Sequence, residues 1–511
     1  MTILPSQASF FSSIYGRAVS AFLAALLLSG VASSKPQAPA LTVGIPVERS
    51  LLPGGQDEVS LDLQAGFYLR LALYGRGAEL NASLISPDGE VVARDDGEEE
   101  GRLAHITKTG GVYRIAVTSP KAKIAIQYQL RLAALRPAVR PDDETRLAAD
   151  AALLAARQEE EPAKAVQKGK AALQLWSDLE DVDGEVEALE TLAVKDEECT
   201  LAWYEEALSR ARAGGRPALE AKARTDLGEV LLRRGSFEGA RLELEAALSL
   251  LEVSGDAYQQ ARALYNLGFG SFTLGRLDES SRFYDQALRL TKPAWDITPD
   301  IQNGLCNVYA ARGESRKAFD CLDQAFKLAR ETGRTGAEAA VRTTRGLLHL
   351  RRGEASAALE EVTEALRIDQ SDPDLQKYVG KVLGNLGFVY LGLGQPQEAL
   401  ANFQRALGSS RQVNDQVWTA NMLASIGRAD LILSQPAEAL KNFQAALAMA
   451  ADKARPRANA LQGIGMAELQ LQQVTQAIGH LKEALEIQAV VDHPGQALTQ
   501  QTLGKAFQKQ G

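Results

Sequence analysis

The sequence predicts a mainly α-helical protein, in which a superhelical α-α solenoid follows a small antiparallel β sandwich. Glycines recur at a nearly constant spacing from Gly228 to Gly504, and seven steps of about 39 residues separate these two positions. A fixed period of roughly 20–50 residues is typical of a solenoid, in which each unit buries its apolar face against its neighbours. Before the repeats, residues 41–135 alternate apolar and polar side chains, which is the period of half-buried strands.

The composition favours a scaffold and argues against several other classes of protein. The 511 residues include 56 Lys and Arg and 65 Asp and Glu, so the formal net charge is −9, which argues against a nucleic-acid partner. The sequence contains no phosphate-binding loop, nucleophile elbow or HExxH zinc motif, and its three cysteines lack CxxC spacing. We therefore expect no catalysis, no cofactor and no metal site.

Residues 1–34 have the pattern of a secretory signal peptide. Eleven apolar or small residues at 18–28 follow Arg17 and precede the small residues of SGVASS. This run suits the apolar core of a signal peptide and is shorter than the roughly 20 residues that span a bilayer. We expect cleavage, export to the periplasm or the extracellular space, and no stable membrane span afterwards. An uncleaved N-terminal segment that tethers the chain to the membrane is the alternative.

Residues 41–135 are predicted to form the β sandwich. Strands are expected at 58–64, 68–75, 81–87, 112–119 and 126–134, with glycine-containing turns between them. The acidic run from Asp95 to Glu100 suits a solvated hairpin tip better than a calcium loop, because the D-x-D-x-D-G spacing is absent. The segments LISPDGEVVARDD and TGGVYRIAV resemble the pre-peptidase C-terminal family, accessory β sandwiches of secreted bacterial enzymes. This resemblance implies export more than activity.

A helical bridge at 136–160 is predicted to lead into a solenoid at 161–511, with about nine repeats and a final helix. A glycine in the middle of each first helix, such as Gly346, costs about 1 kcal/mol relative to alanine, which predicts that two helix backbones approach closely there. A second glycine seven residues later, such as Gly353, is expected to end that helix in a left-handed turn. Two alanines seven residues apart, such as Ala358 and Ala365, are expected to let the second helix dock tightly.

The repeat resembles the tetratricopeptide repeat family, because the glycines, the alanines and the tyrosines Tyr309 and Tyr390 stand at its consensus positions. Its period exceeds the usual ~34 residues, like the longer variants of kinesin light chains and of bacterial signalling proteins. The order of signal, sandwich and repeats also resembles the front part of secreted bacterial proteins that continue into a CHAT (caspase-like) peptidase. The His and Cys pair of that peptidase is missing here, so the alternative function is the sensing half of a truncated or split peptidase.

The predicted function is to bind a protein or peptide partner in the concave groove along the first helix of each repeat. Residues three before and one and four after the repeated glycine share one helix face and are expected to line this groove. The candidate binding residues are Tyr265, Phe269, Asn303, Asn307, Phe388 and Arg428. Asn amides there can hydrogen-bond an extended peptide backbone. The alternative is that the apolar members pack against the adjoining repeat.

The three cysteines are predicted to be buried. Cys306 and Cys321 lie fifteen residues apart on the two helices of one hairpin. They could oxidise in an exported chain, but we expect them to pack as thiols. Cys199 is also expected at a core position. Burial in apolar surroundings raises the pKa of a thiol, so we expect no nucleophilic role for it.

Overall fold

The computed structural model describes residues 41–75, 80–97, 100–120, 125–136, 140–293, 295, 297–412, 415–450, 454–490 and 495–510. The predicted signal peptide at 1–34 lies outside the described residues. Within them an N-terminal β domain precedes a long helical solenoid, as the sequence predicts.

The β domain contains eight described strands in two four-stranded antiparallel sheets. The strands are β1 (Pro46–Leu51), β2 (Gln56–Leu63), β3 (Tyr68–Tyr74), β4 (Leu80–Ile85), β5 (Val91–Gly97), β6 (Glu100–Ile106), β7 (Gly111–Thr118) and β8 (Ile126–Arg136). One sheet has the order β1-β8-β3-β6 and the other β2-β7-β4-β5. Alternate side chains of β4 and β8 are buried, so the period of two in the sequence marks the core face.

The acidic run between β5 and β6 does not fully match the solvated hairpin tip expected from the sequence. Asp95 is buried, and its carboxylate accepts a hydrogen bond from the backbone N–H of Arg102 on β6. The backbone amide gives the charge a partner inside the domain, which a buried carboxylate requires. Asp95 is therefore a structural residue of the β5–β6 hairpin.

The solenoid contains nineteen helices among the described residues, arranged as nine antiparallel hairpins and a final helix. They are α1 (Pro141–Gln158), α2 (Pro162–Asp178), α3 (Val182–Lys195), α4 (Thr200–Ala213), α5 (Pro217–Arg233), α6 (Phe237–Ser254), α7 (Ala257–Thr273), α8 (Leu277–Leu290), α9 (Ile297–Ala311), α10 (Ser315–Glu331), α11 (Thr335–Arg351), α12 (Ala355–Ser371), α13 (Gln376–Gly392), α14 (Pro396–Gln412), α15 (Gln416–Ile432), α16 (Pro436–Ala450), α17 (Ala454–Gln470), α18 (Val474–Val490) and α19 (Gln496–Gln510). Odd-numbered helices are the first helices of the hairpins, and α1, in the predicted bridge, pairs with α2.

In six of the first helices (α5, α7, α11, α13, α15 and α17) the repeated glycine makes room for a side chain of the second helix. A Cβ atom on Gly346 would lie 2.5 Å from Cγ2 of Val362, and a Cβ atom on Gly387 would lie 2.5 Å from Cε1 of Phe403. The recurring glycine predicted that two helix backbones meet here. Backbone also comes near at Gly346, where the carbonyl oxygen of Ala358 would be 3.1 Å away. The inserted side chain is nevertheless the closer group, so the glycine acts mainly as a socket.

The turn between the two helices of a hairpin uses a left-handed residue, as predicted. The glycines at this position have φ between 72° and 79°, namely Gly235, Gly275, Gly313, Gly353 and Gly394. Two later hairpins place Ser434 (φ 61°) and Gln472 (φ 65°) there instead. The left-handed region costs a residue with a Cβ about 1–2 kcal/mol, so these two turns are locally strained.

Cys306 and Cys321 form a disulfide bond, so the prediction of packed thiols is wrong. Their Cα atoms are 5.5 Å apart, and the bond joins α9 to α10. Cys306 occupies the position that glycine holds in the neighbouring repeats, where a side chain of the second helix reaches the first. The prediction for Cys199 is also wrong, because this free cysteine is exposed.

A buried cluster of charges holds the β domain against the first two hairpins. Arg102 of β6 forms an ion pair with Glu187 of α3, and Arg70 of β3 lies 3.6 Å from Asp181. The Arg70 guanidinium also lies over the Trp176 ring, 5.1 Å from its centroid. Burial lowers the pKa of Arg102 to about 10. Breaking such a pair leaves an uncompensated charge, so the cluster fixes the relative position of the sheets and α1–α3.

Candidate functional site

The inner side of the solenoid forms one large groove of about 1630 Å³. The groove is lined mainly by the first helices of successive hairpins and by the turns between hairpins. A few residues of the second helices and three residues of the β domain complete the lining. Helix positions that lie three, four or seven residues apart share a face, so one stripe of each helix reaches the cavity.

The groove crosses the first helices diagonally. It meets α5 at its C-terminal end (229–234), α9 along most of its length (297–307), α13 in its N-terminal half (377–385) and α15 at its very start (415–418). Each successive helix therefore presents a more N-terminal segment to the cavity. A repeat solenoid twists by a small rotation per unit, and this accumulating rotation moves the lining along the helices.

Four of the six predicted binding residues line the groove. Phe269 of α7 leaves 43% of its surface exposed, whereas Tyr265, one turn earlier, is partly buried against Tyr284 with ring centroids 6.0 Å apart. Asn303 and Asn307 lie one turn apart on α9. The amide of Asn307 donates a hydrogen bond to the backbone carbonyl of Asn303 at 3.0 Å, so one of its two donors is already engaged.

The other two predicted residues are not among the groove-lining residues. Phe388 lies in the C-terminal half of α13 and packs edge-on against Phe403 of α14, with ring centroids 5.0 Å apart. Arg428 is exposed near the C-terminal end of α15. Both stand at the same repeat position as Phe269, one residue after the glycine. By α13 the groove lies against the N-terminal half of the helix, before the repeated glycine. A rule that always selects the residue after the glycine therefore fails there.

Several lining residues escaped the sequence analysis because they lie about two turns before the repeated glycine. They are Arg262, Asp300 and Lys381, together with Tyr378 and Trp418 at the start of α13 and α15. The sequence could have indicated them, because they continue the predicted groove-lining face of each first helix by one further turn towards its N-terminus. Tyr378 is 43% exposed, like Phe269, so the groove offers two exposed aromatic rings on different helices.

Charges from several helices converge on the aromatic hydroxyls of the groove. Burial raises the pKa of Tyr378, and the negative charges of Asp300 and Glu229 raise it further. Burial and Asp300 likewise raise the pKa of Tyr265 well above its ordinary value. Helices α5, α7, α9 and α13 therefore meet around one region of the cavity, and both tyrosines carry their protons at neutral pH.

Both signs of charge line the groove, and part of this charge is paired. Arg262 lies 2.9 Å from Asp226 and 3.3 Å from Glu229, and Lys381 lies 4.0 Å from Asp415. These contacts join one first helix to the next, since Arg262 and Lys381 pair with residues of adjacent hairpins. The lining is therefore amphipathic and close to charge balance, which suits a peptide more than a polyanion.

Two buried polar atoms at the groove have no hydrogen-bond partner among the described residues. They are the Oδ1 acceptor of Asn303 and the Nε1 donor of Trp418. An unpaired buried polar group costs about 1–3 kcal/mol, and a ligand that supplies the missing partner recovers that free energy. An extended peptide backbone carries both kinds of group, because each residue other than proline has an N–H donor and a carbonyl acceptor.

The described residues show no arrangement for holding a metal and no helix suited to crossing a membrane. No group of three or more His, Cys, Asp or Glu side chains among them could hold a metal ion. None of the helices they form combines the length and the hydropathy that a membrane-spanning segment needs.

Comparison with known proteins places part of the solenoid in a described repeat family. Residues 298–371 and 378–452 match the model of the tetratricopeptide repeat. No curated protein has a matching sequence.

Several solved structures are similar to this chain at low sequence identity. A Rap protein in complex with competence and sporulation factor is 16% identical over 69% of this chain and 99% of its own, with a TM-score of 0.47. The Rap conjugation gene regulator of plasmid pLS20 in complex with the Phr* peptide is 16% identical over 70% of this chain and 98% of its own, with a TM-score of 0.47.

A further similar structure is a signal transduction ATPase with numerous domains that has a tetratricopeptide repeat sensor, from Pyrococcus horikoshii. It is 13% identical over 69% of this chain, with a TM-score of 0.43. This chain spans half of its length. Because the family model covers four consecutive hairpins, α9–α16, the C-terminal helical part of the chain contains tetratricopeptide repeats.

Proposed function

We propose that this chain is an exported protein-interaction scaffold that binds an extended peptide segment of a partner protein in the diagonal groove and has no catalytic activity of its own. The observation that carries the proposal is the continuous amphipathic lining of the groove. It combines exposed aromatic rings, amide side chains and charges of both signs along several adjacent helices.

The size of the groove favours a peptide over a small molecule. Sites for small ligands typically enclose about 300–1,000 Å³, and this groove encloses about 1630 Å³. Its length follows the solenoid from α5 to α15, which an extended chain can follow and a compact metabolite cannot. We therefore assign the groove to a linear segment.

The groove can recognise both the backbone and the side chains of such a segment. Phe269 and Tyr378 present apolar surface for side chains of the ligand, which excludes water around neighbouring hydrogen bonds. The Oδ1 atom of Asn303 accepts a backbone N–H, and the Nε1–H of Trp418 donates to a carbonyl or carboxylate oxygen.

Export to the periplasm or the extracellular space is part of the same proposal. The apolar run at 18–28 followed by small residues supports it, because this pattern is typical of secretory signals. The Cys306–Cys321 disulfide supports it as well, because disulfides persist in oxidising compartments and are rare in the cytosol.

The test is a selection of linear twelve-residue peptides from a phage-displayed random library, with the full chain as the bait. A peptide that binds is then labelled, and its Kd is measured by fluorescence anisotropy for the wild type and for Phe269→Ala. We expect Phe269→Ala to weaken binding by about tenfold, which corresponds to about 1.4 kcal/mol of lost apolar contact.

The matched control is Leu242→Ala, which truncates an apolar side chain of α6 that is 64% exposed and is not part of the groove lining. It should leave the Kd unchanged. Equal effects of the two substitutions, or no effect of Phe269→Ala, would contradict the assignment of the groove.

A further inference from the structure

We propose that the β domain forms a wall of the peptide-binding groove, so that a bound peptide touches the end of β7 and the start of β8 as well as the helices. This inference rests on the proposed function. It assigns a binding role to a domain whose resemblance implied an accessory module.

The lining of the groove carries the inference. Ser119 and Pro120, directly after β7, and Ile126, the first residue of β8, line the same cavity as Phe269 and Asn303. Pro120 is the exposed residue of the three, since Ser119 and Ile126 are buried. These strand ends belong to different sheets, and both converge on the inner side of the solenoid.

Two separate attachments keep the wall in place. At the first hairpins, Arg102 pairs with Glu187 and Arg70 with Asp181, and these largely buried contacts join the sheet of β3 and β6 to α3 and its N-terminus. Farther along the solenoid, Nζ of Lys292, between α8 and α9, donates a hydrogen bond to Oε1 of Gln127 at 3.0 Å. Residues 42–511 also form one compact unit. The second attachment lies immediately before α9, the helix that carries the groove asparagines.

The chemistry of the wall indicates which part of the ligand it meets. Pro120 offers exposed apolar surface and no charge, with the buried Ile126 beside it, whereas α13 and the start of α15 bring Lys377, Lys381 and Asp415 to the groove. A peptide that follows the groove therefore places an apolar side chain against the β domain and polar or charged side chains against α13 and α15.

The experiment uses the peptide selected from the twelve-residue library and a photo-crosslinking amino acid, p-benzoylphenylalanine, placed in the full chain at one position at a time. The positions are 120 on the proposed wall, 269 on the helical side of the groove, and 52 as a control. Leu52 belongs to the β domain, is 68% exposed and does not line the groove. Anisotropy confirms that each labelled chain still binds the peptide.

We expect the peptide to crosslink from positions 120 and 269 and not from position 52. A crosslink from 269 without one from 120 overturns the wall and leaves the proposed function intact. A crosslink from neither position overturns the proposed function itself.

A second variant pair reports on the same wall without a crosslinker. Pro120→Glu puts a charge against the apolar part of the ligand, and we expect it to weaken binding by about tenfold. Leu52→Glu adds the same charge outside the groove and should have no effect on the Kd. Equal Kd values for Pro120→Glu and the wild type would contradict the inference.

Discussion

Single residues decide how each hairpin turns, and the backbone conformation can be tested at two of them. Ser434 and Gln472 adopt the left-handed conformation that five other hairpins give to glycine. The hydrogen bonds of the turn are the same, since the N–H of Gln435 reaches the carbonyl of Asp430 as the N–H of Gln395 reaches that of Tyr390. The difference between these turns is therefore the Cβ atom.

We predict that Ser434→Gly raises the free energy of unfolding by about 1 kcal/mol, because it relieves the left-handed strain of a residue with a Cβ. Urea denaturation followed by circular dichroism measures the change. The reciprocal control is Gly394→Ser, at an exposed turn with no atom within 4 Å of the new Cβ, which should lower stability by a similar amount. A change of the same sign for both substitutions, or no change for either, would refute the explanation.

One buried carboxyl makes the stability depend on pH. Asp369, at the end of α12, is 2% exposed, and burial together with the nearby charge of Asp372 raises its pKa from 3.8 to about 7. The folded state therefore holds a proton that the unfolded state releases above about pH 4. The proton on Asp369 therefore contributes to the free energy of unfolding, and this contribution is fully present below pH 4 and is lost as the pH rises through about 7.

We predict that Asp369→Asn stabilises the protein at pH 8 and changes little at pH 4. The rise in pKa corresponds to about 4 kcal/mol as an upper bound on the difference, at about 1.4 kcal/mol per pKa unit. Thermal unfolding of both proteins at pH 4, 6 and 8 measures this. A stability gain that is the same at all three pH values would show that Asp369 does not titrate in this range.

At the scale of elements, the disulfide ties the two helices of the central hairpin together. It joins α9 and α10 across fifteen residues and lies on the helix that carries Asn303 and Asn307. Sequence reasoning located both cysteines on facing helices but chose thiols, because spacing along the chain does not reveal the separation of two side chains. The signal for the bond was the position of Cys306 at the glycine site, where a side chain of the second helix reaches the first helix.

We predict that Cys306→Ala with Cys321→Ala lowers the free energy of unfolding by about 3 kcal/mol, the usual effect of opening a loop of about fifteen residues. Urea titrations of the oxidised wild type and of the double variant give the difference. Cys199→Ala, at an exposed free cysteine, is the control and should leave the midpoint unchanged. If a thiol reductant leaves the urea midpoint of the wild type unchanged, the disulfide does not contribute to the free energy of unfolding.

At the scale of the whole molecule, the solenoid should unfold in units of hairpins. Stability in a repeat array is approximately the sum of the units and of the interfaces between neighbours. Gly346 lies in the middle of α11, where its backbone N–H takes part in the hydrogen bonds of the helix. Val362 fills the space beside it. A break at this point separates the hairpins before α11 from those after it.

We predict that Gly346→Pro divides thermal unfolding into two transitions, because proline removes a helix hydrogen bond and clashes with the preceding turn. Gly346→Ala keeps the helix and loses only the socket for Val362, so it should lower the midpoint of a single transition. Differential scanning calorimetry distinguishes the two patterns. A single transition for Gly346→Pro at the wild-type temperature would contradict the modular description.

The sequence predicted the architecture well because its two periods are local properties of the chain. The 39-residue spacing and the period of two correspond to the hairpins and to the two sheets, and the left-handed glycines end the first helices as expected. The binding face was predicted less completely. Phe388 occupies the same repeat position as Phe269, yet it packs against Phe403, because superhelical twist carries the groove away from that position.

The central claim is that the diagonal groove holds the ligand, and hydrogen–deuterium exchange of the full chain with and without the selected peptide tests it most directly. We expect slower exchange in the C-terminal half of α7, along α9 and in the N-terminal halves of α11 and α13, with no change in α10, α14 or α16–α18. Protection confined to the outer helices, or to the C-terminal ends of α13 and α15 near Phe388 and Arg428, would contradict it.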